Sequence, residues 1–125
     1  MIPKKLIVLL ALLMVSTFAI GQAISSNGGS IQGTITDPSG AAIPSATITV
    51  SSPDTGYTHT FKSNSAGYYS LGPLVPGNYV IAVSAPLFQS LRSTTVVRTG
   101  TVTSGDEKLS LGSPDQVVTV TAGAL

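Results

Sequence analysis

Asn64-Ser65-Ala66-Gly67-Tyr68-Tyr69-Ser70-Leu71-Gly72-Pro73-Leu74-Val75-Pro76-Gly77-Asn78-Tyr79-Val80-Ile81-Ala82-Val83 decides how the chain is read. Asn64 to Gly67 is a turn, because Asn and Gly tolerate left-handed backbone angles and a Ser between them can bond the local backbone. Tyr69 and Leu71 then fall on one face of a short strand and Ser70 on the other. Pro73, Pro76 and Gly77 form a stiff corner, since proline fixes its own φ and removes a backbone donor. After the corner, Tyr79, Ile81 and Val83 alternate strictly with polar or small residues. Two antiparallel strands joined by a proline-glycine corner are therefore expected at the centre of a small sandwich.

The pattern continues in both directions. Upstream, a first strand is expected over 30–36, with Ile31, Gly33 and Ile35 on one face, followed by the turn Asp37-Pro38-Ser39-Gly40. A second strand covers about 46–52, with Ala46, Ile48 and Val50 inward. Pro53-Asp54-Thr55-Gly56 turns the chain into a third strand over 57–63, where Tyr57, His59 and Phe61 share a face. Downstream, Ala85-Pro86-Leu87-Phe88 bends, and Phe88 caps one end of the core. Residues 89–99 form a strand whose faces are ambiguous, because Val96 and Val97 are adjacent. Residues 101–105 are polar, and 106–111 form a strand with Leu109 and Leu111 inward. Gly112-Ser113-Pro114 breaks it, and Val117-Val118-Thr119-Val120-Thr121 is a last β-prone run. No helical periodicity appears after residue 21. Short strands with turn signals every 8 to 12 residues predict an all-β fold, an antiparallel Greek-key β-sandwich of about seven strands.

The N-terminus reads differently. Lys4 and Lys5 precede an apolar run from Leu6 to Ile20, too short to span a bilayer comfortably and of the length usual for a signal-peptide core. The chain is thus expected to carry a signal-peptide helix over 1–21, cleaved before Gln22 or Ile24, and a flexible Ser/Gly/Asn lead-in over 22–29. The whole chain has a formal charge of +1, but the part after the leader has Lys62, Arg92, Arg98 and Lys108 against Asp37, Asp54, Asp106, Glu107 and Asp115. The mature domain is slightly acidic. That argues against nucleic acid and anionic lipid as partners. About 100 residues without cysteine make one domain that relies on packing alone.

The residues Gly33 to Val50, Ser65 to Leu71, Leu74 to Tyr79 and Ala85 to Phe88 together resemble the carboxypeptidase regulatory-like domain. That is a transthyretin-like (prealbumin-like) sandwich grouped with starch-binding-like and Cna-B-like folds. The resemblance covers about 30–111. Three positions depart from the family pattern: Ser45 and Leu87 stand where Gly is common, and Asn64 where Asp is common. A leader, this domain and a following Val-Thr-Val-Thr-Ala look like the N-terminal end of Oar-like TonB-dependent outer-membrane receptors. The resemblance implies an exported, periplasmic accessory module, with a receptor plug and barrel or a TonB-like protein as partner. It also makes the tail over 112–125 similar to a TonB box, with Asp115, Val117, Val118, Thr119, Val120 and Thr121 as partner-binding residues acting by strand addition. The alternative is that 117–121 is the last strand of the sandwich.

Little in the sequence carries catalysis. One His and no Cys exclude an ordinary zinc site. No His-Glu-x-x-His, Gly-x-Ser-x-Gly or phosphate loop is present, and the acids are scattered. The chain is expected not to be an enzyme and to need no cofactor. Lys62 and Lys108, the lysines beyond the leader, fall outside the first strand, which argues against the Lys–Asn crosslinks of some Cna-B-like relatives. Relatives of this fold bind glycans through exposed aromatics, which makes Tyr57 and Tyr68 candidates for carbohydrate, with Tyr79 expected inside.

Overall fold

The computed structural model describes residues 3–5 and 28–121. The signal-peptide core, its cleavage sites, most of the lead-in and Ala122 lie outside the described residues. Among the described residues nine strands follow one another: β1 (Gly29–Thr36), β2 (Thr47–Ser51), β3 (Thr58–Lys62), β4 (Tyr68–Leu74), β5 (Gly77–Ser84), β6 (Ser90–Val97), β7 (Val102–Ser104), β8 (Glu107–Lys108) and β9 (Val117–Thr121). They form two sheets. One is five-stranded in the order β3-β2-β5-β6-β9; in the other, of four strands, β1 lies between β4 and β7 and also pairs with β8.

The alternation read from the sequence is what fills the space between the sheets. Ile31 and Ile35 of β1, Ile48 and Val50 of β2, and Tyr79, Ile81 and Val83 of β5 are buried, together with Tyr69 and Leu74 of β4. Phe61, Leu71 and Phe88 are partly buried against them. Removing each large aliphatic side chain from water stabilises the fold by about 1.5–3 kcal/mol. The partners of these strands put Thr, Ser and Gln on the outer faces, as a half-solvated sheet requires.

Several expectations are corrected. The strands on either side of the proline-glycine corner do not pair. β4 pairs with β1, and β5 pairs with β2 and β6, so the corner carries the chain from one sheet to the other. β4 runs through Pro73 to Leu74, which the strand tolerates because it is the edge of its sheet, where a missing N–H costs no ladder bond. The pairing is not wholly antiparallel: β1–β7, β1–β8 and β6–β9 are parallel. Leu109 is buried, but Leu111 is 68 % exposed, because β8 is two residues long and the chain leaves the sheet after it. In the Asn64 turn the side chain that bonds the backbone belongs to Asn64, whose Oδ1 accepts from Ala66 N–H and Tyr68 N–H at 2.9 Å each. Register settles β6: Ile81 faces Ser93 and Val83 faces Leu91, so Leu91, Ser93 and Val97 point inward and Val96 outward.

Candidate functional site

Two places where the sandwich is open answer to the sequence-predicted residues. The first is the β9 edge. β6 and β9 pair in parallel from Ser90↔Val117 to Thr94↔Thr121. Residues in register share a face, so Val118 and Val120 continue the inward face of Leu91 and Ser93. However, β7 and β8, the last strands on the opposite side, sit beneath β6: Thr103 Oγ1 donates to Val96 O at 3.3 Å and Ser93 Oγ donates to Glu107 Oε1 at 2.5 Å. β9 therefore overhangs the core. All five of its residues are exposed, Val117 by 60 %, Val118 by 41 % and Val120 by 48 %.

β9 is held at its start. Ser90 N–H donates to Gln116 O at 2.8 Å, Ser90 Oγ to Pro114 O at 2.7 Å, and Gln89 Nε2 to Gln116 Oε1 at 2.9 Å. Asp115 lies in the preceding turn with its N–H on Ser113 Oγ at 3.3 Å, and its side chain is exposed.

The second open place is the end of the sandwich around Tyr57. Its ring meets that of Tyr79 edge-on, with centroids 6.2 Å apart at 76°. Tyr79 is buried, as expected, and its hydroxyl donates to Val75 O at 2.7 Å. Burial pushes the Tyr79 phenol up, with a smaller contribution from Tyr57. Tyr68 is elsewhere. It opens β4 opposite Thr34, whereas Leu74, at the far end of β4, lines the Tyr57 cleft. At about 3.3 Å per residue the strand separates the two tyrosines by roughly 20 Å. The two glycan candidates are thus not brought together.

A third group was not legible in the sequence. Gly105, Asp106 and Glu107 are tied to three strands. Tyr69 Oη donates to Gly105 O at 2.6 Å, Thr34 N–H to Asp106 Oδ1 at 2.8 Å, and Ser93 Oγ to Glu107. Burial raises the Glu107 carboxyl above its ordinary value, the Ser93 bond opposes that shift, and the Asp106 charge adds to it. The Tyr69 phenol is raised by burial and by both carboxylates. His59 is exposed and stacks on Phe61 at 5.5 Å. Among the described residues, no three His, Asp or Glu side chains gather as metal ligands would.

This sandwich of two sheets, with its proline-glycine crossover, defines a class, and the comparisons place the chain in it. The family model of the carboxypeptidase regulatory-like domain matches residues 30–110, and the chain belongs to that family. No curated protein matches the sequence. Among solved structures it is similar to the TIE protein of Bacillus anthracis, at 17 % identity and a TM-score of 0.60 over 68 % of this chain and 17 % of that one. It is also similar to GBS52, the minor pilin of Streptococcus agalactiae, at 10 % identity and a TM-score of 0.55 over 69 % and 45 %. A third is a putative carbohydrate binding protein of Bacteroides uniformis, at 22 % identity and a TM-score of 0.53 over 64 % and 40 %. The chain spans less than half the length of each, and at these identities the likeness is one of fold.

Proposed function

We propose that the chain is a non-catalytic, exported interaction module, and that its β9 segment is a docking strand. The segment leaves β6 and pairs with an exposed sheet edge of a TonB-like partner in an outer-membrane receptor system. The observation that carries this reading is that β9 is a fully formed strand with all five residues exposed. Its release breaks one ladder and the few bonds from Gln89 and Ser90, and opens no cavity. A β-prone segment with little side-chain burial exchanges partners at low cost, because backbone bonds lost on one edge are remade on another. The leader read over 1–21 supports export.

The test is a titration of the ¹⁵N-labelled protein without its leader against a purified TonB C-terminal domain. Shifts concentrated in Asp115 to Thr121 are expected, with loss of the Gln89–Gln116 bond. If no amide moves, and those amides resist exchange as β5 does, β9 is a structural strand and the docking reading fails.

A further inference from the structure

β9 ends the five-stranded sheet, and its free edge is unlike the other edges of the sandwich. An open strand edge presents a row of unpaired N–H and C=O groups, and proteins blunt such edges with charge, proline or short length. Among the described residues, β3 ends in the exposed Lys62, β4 carries Pro73, and β7 and β8 are three and two residues long. β9 has none of these guards. Val117-Val118-Thr119-Val120-Thr121 holds no charge and no proline, and its register against β6 runs without a shift.

The Ser90 N–H bond to Gln116 O sets the phase of the β6–β9 ladder. Alternate residues of β9 turn their backbone groups to β6, and those between them, Val117, Thr119 and Thr121, turn theirs to the free edge. The same strand from a second copy fits this row. Placed antiparallel about a twofold axis at Thr119, the two Thr119 residues exchange both backbone bonds, and Val117 pairs with Thr121 of the other copy. Val118 then lies opposite Val120 of the other copy, at the positions of an antiparallel pair where side chains come closest. Valine thus meets valine on the core-side face, where Val118 is 41 % and Val120 48 % exposed. No like charges meet across the axis. Arg92 of β6, in register with Thr119, stands three strand spacings from its counterpart, roughly 14 Å, which salt screens. We infer that the chain self-associates as a twofold dimer through the free edges of β9, joining two five-stranded sheets into one. β9 stays on β6 in this pairing, so the dimer does not rest on its release to a TonB-like partner.

A single strand pair buries less than the roughly 1,200 Å² of stable complexes, so a weak dimer is expected, with Kd on the order of 0.1–1 mM. Sedimentation equilibrium of the protein without its leader, from about 10 µM to about 2 mM, should show the mass rising from monomer toward dimer. Over the same range the amides of Val117, Thr119 and Thr121 should shift. Thr119→Lys sets like charges opposite each other at the axis and should weaken the dimer about fivefold, as should Thr119→Glu. An equal mixture of these two variants should pair more tightly than either alone, a result that a folding defect does not produce. Thr119→Pro removes a donor that β6 does not use and should also weaken the dimer. The inference is overturned by a mass that stays monomeric throughout, or by one that climbs past the dimer. It is equally overturned if Thr119→Lys associates as the wild type does, or if the shifts fall on β3 or β4 instead. These measurements contain no TonB domain, so the dimer and the docking reading fail separately.

Discussion

Ser93 of β6 donates its hydroxyl hydrogen to Glu107 of β8 at 2.5 Å, a bond that ties the two sheets together from inside the sandwich. The carboxyl it meets is half-buried, and burial raises it above its ordinary value. A raised folded-state value means that the fold prefers the protonated acid. Glu107 therefore gives its full stability below the ordinary glutamate range, near 4, and loses it as pH rises through the folded value. Replacing it by Gln keeps an acceptor for Ser93 and removes the charge beside Asp106. Glu107→Gln should raise the melting temperature at pH 7 and converge on the wild type as pH falls toward 4. Parallel melting curves across that range for both proteins would sink this account. Ser93→Ala should act in the opposite direction, raising the carboxyl further and destabilising the protein most at neutral pH.

Leu87 has φ of 71° and Ser45 φ of 55°, both in the left-handed region. A side chain there costs about 1–2 kcal/mol, and glycine recovers that less about 0.5–1 kcal/mol of extra unfolded-state entropy. Leu87 is 77 % exposed, so losing its side chain forfeits little packing. Leu87→Gly and Ser45→Gly should each stabilise by up to about 1 kcal/mol, a few degrees in Tm for a domain of this size. Leu87→Val, whose branched side chain suits this region least, should lower it. A drop in Tm for Leu87→Gly would show that the side chain matters in some other way.

These two positions also show what a sequence discloses. Both hold a left-handed backbone conformation with a residue other than glycine, so the residue type at neither position signals that conformation. Alternation disclosed the buried faces of β1, β2 and β5, because one face of each is wholly covered and the side-chain period is two. It did not disclose that β4 and β5 lie in different sheets, since a proline-glycine corner serves a hairpin and a crossover equally well. Val117, Val118 and Val120 have the composition of a core strand, yet they are exposed because the opposite sheet ends beneath β6. Leu111 is exposed because β8 stops short. The Ser93–Glu107 bond has no local signature, because it depends on how far two sheets overlap.

Ile81 and Val120 test the difference between core and overhang. Ile81 is 1 % exposed between the sheets; Val120 is 48 % exposed on β9. Ile81→Ala should cost about 2–5 kcal/mol, from lost transfer energy and the cavity left behind. Val120→Ala should stay within about 0.5 kcal/mol, as surface changes do. Chemical denaturation of the two variants beside the wild type measures both. Equal losses would mean that β9 is packed as firmly as β5, which would remove the basis for its release as a docking strand.

Tyr69 and Gly105 make the sharpest pair. The Tyr69 hydroxyl donates to Gly105 O at 2.6 Å, and a Cβ built on Gly105 would collide with that same hydroxyl oxygen and lie 2.8 Å from Ile31 Cγ2. The link between β7 and β8 therefore passes over Tyr69 at a distance that glycine alone permits. Tyr69→Phe leaves a buried carbonyl without its donor and should cost about 1–3 kcal/mol. Gly105→Ala should cost more, because the backbone that positions Asp106 and Glu107 must move. The double variant is the informative one. Removing the hydroxyl makes room for the new methyl, so Tyr69→Phe with Gly105→Ala should be less destabilised than the sum of the two single changes, by an interaction energy of about 0.5–3 kcal/mol. Simple additivity in urea unfolding would mean that the contact with Ile31, and not the hydroxyl, sets the need for glycine at this position.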